Sequence, residues 1–288
     1  MILVTGATGN IGSALVEELS GRIGAGAVRA LARNPGRAGF PEGVEAVAGD
    51  LADPASLPAA LRGARAMFLI SRLGADEEIV GAARQAGVEH VVLVSSLTAE
   101  THPHLGPARE NLAVERLVKD SGMAWTILRP TQFASNARWW AGEIGAGRPV
   151  RVPYPDIGLP AIHPADIASV ARVALTEPGH RGQTYALTGP ERVTPRQQLE
   201  AVAAVLGREV PLVGIDRAEA HRGLAAFLGD EAADAVLDVT GGDVNEGLLR
   251  VRDTVARVTG RPARTFGQWA EEHAAAFRPA NAATATAR

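Results

Sequence analysis

Three glycines, Gly6, Gly9 and Gly12, directly follow the apolar run Ile2-Leu3-Val4-Thr5 and open a helical pattern. A chain that turns from a buried strand into a helix through Gly-x-x-Gly-x-x-Gly needs each glycine for its own reason. One permits a tight turn, one lets backbone approach a ligand, and one lets the helix pack closely on the strand. The helix start then presents free N–H groups and a partial positive charge, which suits phosphate. The loop therefore reads as a pyrophosphate cradle with Gly6, Thr8, Gly9, Asn10, Ile11 and Gly12 as its contacts. Its spacing is one residue wider than the commoner Gly-x-Gly-x-x-Gly.

The pattern after the loop repeats strand and helix in turn. Strands are expected at Ile2–Thr5, Val28–Ala32, Val44–Ala48, Met67–Ser71, Val91–Ser95 and Trp125–Leu128, read as apolar on both faces. Ile11–Leu19, Ile79–Ala86 and Leu112–Val118 carry apolar residues at helical spacing, and Gly87 and Gly122 stand where left-handed caps belong. This alternation predicts an α/β fold, a Rossmann-type doubly wound parallel sheet. Further strands are expected at Val150–Val152 and Thr184–Leu187, with helices at Pro164–Leu175, Pro195–Leu206, Arg217–Leu228 and Leu248–Val258. Residues 1–278 read as one dinucleotide-binding domain. Elements from about 131–160 and 190–278 form a small, mainly helical part that covers the substrate. The Ala/Thr-rich stretch 279–288 is expected to be disordered.

Composition excludes several classes. The net charge of −3 offers nothing to nucleic acid, and the absence of cysteine removes disulfides, thiol nucleophiles and thiolate metal sites. The histidines His102 and His104 flank a proline without a third ligand and are read as surface residues; no metal is expected. No apolar run reaches the roughly 18 residues of a membrane span, and no basic segment precedes the first strand. A cytoplasmic monomer or homodimer acting on a small aromatic molecule is the expectation.

The end of the second strand bears on the choice of dinucleotide. Sites for NADH usually place an acid there to bond the ribose hydroxyls. This chain has Leu31-Ala32-Arg33-Asn34-Pro35, with Arg37 following, and a guanidinium pairs well with a 2′-phosphate. NADPH is therefore expected, with NADH usable. Asp50 is read either as a bond to the adenine amino group or as a helix cap before Pro54. Leu51, Ile70, Ser71, Ser95 and Pro130, at the ends of their strands, complete the expected cofactor contacts.

With these motifs in hand, the chain resembles the NmrA-like atypical short-chain dehydrogenase/reductase family. The resemblance rests on Thr5–Gly12, Ala30–Pro35, Gly49-Asp50-Leu51, Val94-Ser95-Ser96 and Thr126-Ile127-Leu128-Arg129-Pro130. It continues through His163-Pro164-Ala165-Asp166-Ile167-Ala168, Thr188-Gly189-Pro190-Glu191 and Thr265-Phe266-Gly267-Gln268-Trp269. It implies quinone or triphenylmethane-dye reduction, a step in an aromatic polyketide pathway, or dinucleotide sensing. By place in the family pattern, Asn111 takes the position of the catalytic tyrosine of ordinary short-chain enzymes and Glu115 that of its lysine.

That absence narrows the chemistry. An unactivated carbonyl needs an acid as hydride arrives, whereas a conjugated ring spreads the charge. Asn111, Ser96 and His163 are the candidate catalytic residues, as oxygen contacts or proton donors. Of the twelve aromatic residues, Phe133, Trp139, Trp140 and Tyr154 fall within a short stretch after the sixth strand and, with Asn136, are read as a substrate wall. The expected function is NADPH-dependent reduction of a quinone-like or polycyclic aromatic substrate. The alternatives are a metal- and flavin-free monooxygenase step and a dinucleotide sensor without turnover.

Overall fold

A computed structural model describes residues 1–70 and 74–278. The described residues form two compact units. One comprises Met1–Pro130, Pro164–Leu187 and Thr254–Arg261; the other comprises Thr131–His163, Thr188–Asp253 and 262–278. The sequence-expected strand at Met67–Ser71 stops at Ile70 within the described range, and both Ser71 and the 279–288 tail lie outside it.

The first unit is a parallel seven-stranded sheet. Its strands are β1 (Ile2–Val4), β2 (Val28–Ala32), β3 (Glu45–Ala48), β4 (Ala66–Ile70), β5 (His90–Val94), β6 (Ala124–Pro130) and β8 (Gln183–Leu187), in the order β3-β2-β1-β4-β5-β6-β8. The order reverses direction beside β1, between β1 and β4, the place where open α/β sheets take their ligands. Helices α1 (Asn10–Ile23), α2 (Leu57–Leu61), α3 (Asp76–Gln85), α4 (Thr98–Thr101), α5 (Gly106–Asp120), α7 (Pro164–Thr176) and α12 (Thr254–Thr259) complete the unit.

Successive strand residues point to opposite faces. Leu3, Met67, Leu69, Val91, Leu93 and Ile127 share a core with Leu57, Ile79, Ala83, Val114 and Val118 of α2, α3 and α5. Helices α1 and α7 pack on each other. Ser169 and Arg172 of α7 both reach Glu18 of α1, at 2.5 and 3.3 Å. Gly87 and Gly122 have φ of 83°, the left-handed conformation expected of them.

Three expectations need correction. Strand β3 is not apolar on both faces: three of its four residues are exposed, because it is the sheet's edge and pairs only with β2. The helix expected at Leu248–Val258 is broken into α11 (Glu246–Leu249) and α12, since Arg250 turns extended and Arg252 N donates to Thr188 Oγ1 at 2.9 Å. His102 is not a surface residue. It is buried, and its Nδ1 lies 2.8 Å from Thr101 Oγ1.

The second unit contains α6 (Ala141–Gly145), β7 (Val150–Val152), α8 (Pro195–Leu206), β9 (Leu212–Gly214), α9 (Arg217–Leu228), α10 (Asp230–Leu237), α11 and α13 (Phe266–Glu272). Strands β7 and β9 pair in parallel. Their core gathers Ile144, Val150, Val152, Leu199, Val202, Phe266 and Phe277 around the fully buried Trp269. Thr194 and Thr265 start α8 and α13 with reciprocal capping bonds to Gln197 and Gln268. No described helix is long and apolar enough to cross a membrane.

At the amino end of β5 the buried His90 joins three segments of the first unit. Thr126 Oγ1 donates to His180 O at 2.8 Å, so His90 Nε2, 2.9 Å away, donates to Thr126 Oγ1. Burial, with the nearby positive charges of Arg181 and His180, pushes the His90 pKa down to about 4. The unfolded chain therefore takes a proton near the ordinary value of 6.5 that the folded chain refuses. Stability from this group is intact above that value and is lost as pH falls toward 4, by about 3 kcal/mol in full. His90→Gln should remove this part of the pH dependence, read as the difference between variant and parent in denaturant unfolding across the acidic range.

Candidate active site

The cradle begins where β1 ends. Gly6 turns the chain with φ 57°, and Gly9 N donates to Gly6 O at 2.9 Å. Helix α1 then starts at Asn10 with Gly9 at its cap, no side-chain cap bond and no acidic residue in its first turn. The positive end of its dipole suits an anion there. Gly12 is required by packing: a Cβ there would lie 2.7 Å from Gly6 C and 2.9 Å from Ala7 Cα, and would overlap Gly6 O. Ile70 ends the neighbouring β4 and stands 3.2 Å from where a Gly6 Cβ would be. Thr8 and Asn10 are exposed on the loop, while Ile11 is buried beneath it.

Arg33 and Arg37 are exposed beyond β2, and among the described residues neither has a carboxylate partner. Uncommitted guanidiniums beside a bare helix start fit a phosphorylated dinucleotide. Asp50 Oδ1 accepts from Ala52 N at 3.0 Å, closing a local turn; Asp53, not Asp50, occupies the position before Pro54. Leu51 is buried next to it. Pro130 ends β6, and its carbonyl accepts from Leu97 N at 2.8 Å.

The positions that carry an acid–base pair in ordinary short-chain enzymes hold something else. Asn111 is buried, and its Nδ2 donates to Pro107 O one helical turn earlier, at 2.9 Å. Glu115, 1% exposed, is gripped by a bidentate fork: Arg129 Nε to Oε1 at 2.8 Å and Nη2 to Oε2 at 2.7 Å. Ser95 Oγ donates to the same Oε1 at 2.7 Å, and Lys119 and Glu100 extend the cluster. Burial pushes the Glu115 carboxyl upward, but the bonds from Arg129 and Ser95, with the charges of Arg129 and Lys119, outweigh it and hold it below the usual range. The Ser95 hydroxyl is thus spent on Glu115. Ser96 Oγ lies 2.8 Å from Thr98 Oγ1 and accepts from Thr98 N at 3.2 Å.

The remaining candidates lie in the second unit. His163 is 3% exposed, with Nε2 3.2 Å from Glu272 Oε2 and its ring 6.2 Å from that of His273. The four aromatic residues expected as a wall are dispersed in role, and no ring contact joins any two of them among the described residues. Trp139 is 67% exposed, whereas Trp140 packs against the core of the unit. Phe133 bridges to Ile162, with Asn136 N donating back to its carbonyl at 3.0 Å. Tyr154 rests on Gly241 and meets Arg217.

The comparisons with known proteins agree with this geometry. A family model described as NAD(P)H-binding matches residues 6–178. The chain belongs to that family. Within it, the chain is of the NmrA-like atypical short-chain dehydrogenase/reductase type and is an NAD(P)H-dependent oxidoreductase. It is 40% identical to a (4-alkanoyl-5-oxo-2,5-dihydrofuran-3-yl)methyl phosphate reductase of Streptomyces griseus, over 97% of this chain and 100% of that one. It is 36% identical to an NAD(P)H azoreductase of Xenophilus azovorans, over 96% and 99% of the two chains. Among solved structures it is similar to an NADPH-dependent quinone oxidoreductase of Escherichia coli complexed with NADPH. That match has a TM-score of 0.79 and 29% identity, and covers 94% of this chain and 99% of the other.

Sequence reasoning missed the Glu115–Arg129 pair. The available signal was Arg129 itself, a charge inside an otherwise apolar strand, which demands a buried partner. Arg129→Met should cost about 3–5 kcal/mol in denaturant unfolding by stranding the Glu115 carboxylate. The double change Glu115→Leu with Arg129→Met should recover most of that loss.

Proposed function

We propose that this oxidoreductase transfers hydride from NADPH to a conjugated, electron-poor acceptor, with quinones and polycyclic aromatic compounds as the leading class. The observation that carries this reading is the fate of the acid–base positions on α5. Asn111 is bonded to its own helix and Glu115 is locked under Arg129, so neither resembles the usual proton donor of alcohol–ketone chemistry. Acceptors that delocalise the incoming charge need a strong acid least. The names of the relatives run the same way: a quinone, an azo compound, and a dihydrofuranone whose name places a ring alkene against two carbonyls.

When bound, the reduced nicotinamide supplies the hydride. The chain's residues then divide the work. The loop Gly6–Gly12 and the start of α1 bind the pyrophosphate, with Thr8 and Asn10 as polar contacts. Arg33 takes the 2′-phosphate, and Leu51, Ile70 and Pro130 meet the apolar parts of the cofactor. In the second unit, the exposed indole of Trp139 offers a flat face for an aromatic ring.

Anaerobic incubation with NADPH and a panel of quinones, followed by loss of nicotinamide absorbance, tests the reading. Stoichiometric hydroquinone is expected. Dinucleotide binding without turnover on any acceptor would point instead to a sensor, and a hydroxylated product formed only in air to the oxygenase alternative. For the cofactor, calorimetry should show NADPH bound more tightly than NADH, and Arg33→Ala should shrink the gap by roughly 1–3 kcal/mol. Equal affinities in the parent protein would refute the role given to Arg33.

A further inference from the structure

The sheet of the first unit carries the glycine turn at the carboxyl end of β1, and at its opposite, amino end it borders a cavity of about 480 Å³. That volume is in the range of small-molecule sites. The cavity is lined by His90, residues 174–179 and Arg181, all within this one unit. The reductase reading above employs none of them.

The walls offer acceptors at one side and a cation at the other. Helix α7 ends at Thr176, and Pro178 has no N–H with which to continue its ladder. Among the described residues no donor meets the carbonyls of Ala174, Leu175 and Thr176, which stand at the negative end of the helix dipole. Arg172 serves two carboxylates, Glu177 at 2.9 Å and Glu18 at 3.3 Å, so negative charge is in excess there. His90 supplies a further acceptor. It is 4% exposed, and because its Nε2 donates to Thr126 Oγ1, its Nδ1 carries a lone pair with no partner among the described residues. The depressed pKa keeps that ring neutral and the lone pair available at neutral pH. Arg181 is the opposing cation. It is exposed, has no carboxylate partner among the described residues, and lies close enough for its charge to act on His90. Leu175 and Pro178 add apolar surface.

We propose that this cavity binds a free amino acid with an apolar side chain. Its ammonium donates to His90 Nδ1 and to the end carbonyls of α7, and its carboxylate accepts from the Arg181 guanidinium. Its side chain lies on Leu175 and Pro178. A simple anion would satisfy Arg181 but face the carbonyls and Glu177, and a simple amine would leave Arg181 unmet. A zwitterion answers both sides. The site is distinct from the dinucleotide cradle, since His90 opens β5 whereas the cradle follows the far end of β1.

Calorimetry on the full chain, with and without saturating NADPH, tests the proposal with three probes. These are L-leucine, isocaproate, which lacks the ammonium, and isopentylamine, which lacks the carboxylate. Leucine should bind about tenfold more tightly than either, the scale of one charge-assisted bond, and equally well with NADPH present. Arg181→Gln, a change at an exposed position, should weaken leucine to the level of isopentylamine while leaving NADPH binding and quinone reduction unchanged. In protein labelled with nitrogen-15 at histidine, the resonance of the unprotonated His90 Nδ1 should shift when leucine is added. Isocaproate bound as tightly as leucine would make this an anion site and overturn the proposal. Leucine binding that survives Arg181→Gln unaltered, that NADPH displaces, or that is absent altogether would overturn it too. The reductase reading stands under each of these outcomes.

Discussion

The close approach of Gly12 to Gly6 is the constraint on which the cofactor end of the first unit depends. Helix α1 can begin beside the end of β1 only because position 12 has no side chain to strike the Gly6 carbonyl. That approach leaves the start of α1 uncapped and free of acidic residues, aimed along the turn that Gly6 makes with its positive φ. The sheet order reverses direction beside the same strand, so the helix dipole and the opening in the sheet coincide. Backbone shape and charge here suit a dinucleotide's phosphates, before any side chain is considered.

A second constraint governs the chemistry. A carboxylate as buried as Glu115 must be neutralised, and Arg129 does so through two parallel bonds. The cluster ties α5 to the ends of β5 and β6 and draws in the Ser95 hydroxyl. Side chains that serve proton transfer in ordinary short-chain enzymes are here occupied in holding the scaffold together. The consequence is a shift of the demand for protons away from α5, toward acceptors that tolerate a weak acid.

How legible the site was depends on whether a residue's role is local. Arg33 could be read as free because it follows a strand end and meets solvent. Asp50 could not be decided, since an adenine contact and a turn closure need the same carboxylate, and the turn to Ala52 N takes it. Ser95 and Asn111 were assigned by position in a pattern, yet their partners, Glu115 and Pro107 O, are set by how α5 sits on the sheet and on itself. The aromatic residues close in sequence make no ring contacts with one another among the described residues. Trp139 and Trp140 end the 3-10 helical stretch Ala134–Trp140, where adjacent positions face different directions, so Trp139 turns outward and Trp140 packs inward.

The sequence by itself determined the parallel α/β sheet, the NAD(P)H-binding class, the glycine turn after β1 and the exposed arginine beyond β2. Each follows from contiguous residues whose hydrophobic period, turn chemistry or charge acts over a few positions. It also pointed to the missing tyrosine and lysine. Only the tertiary structure decided that β3 is an exposed edge, that residues 248–258 are two helices rather than one, and that His102 is buried. It alone paired Glu115 with Arg129 and set Tyr154 between Gly241 and Arg217. Those outcomes depend on residues far apart in the chain competing for the same buried space and the same hydrogen bonds, and no local pattern records which of them wins.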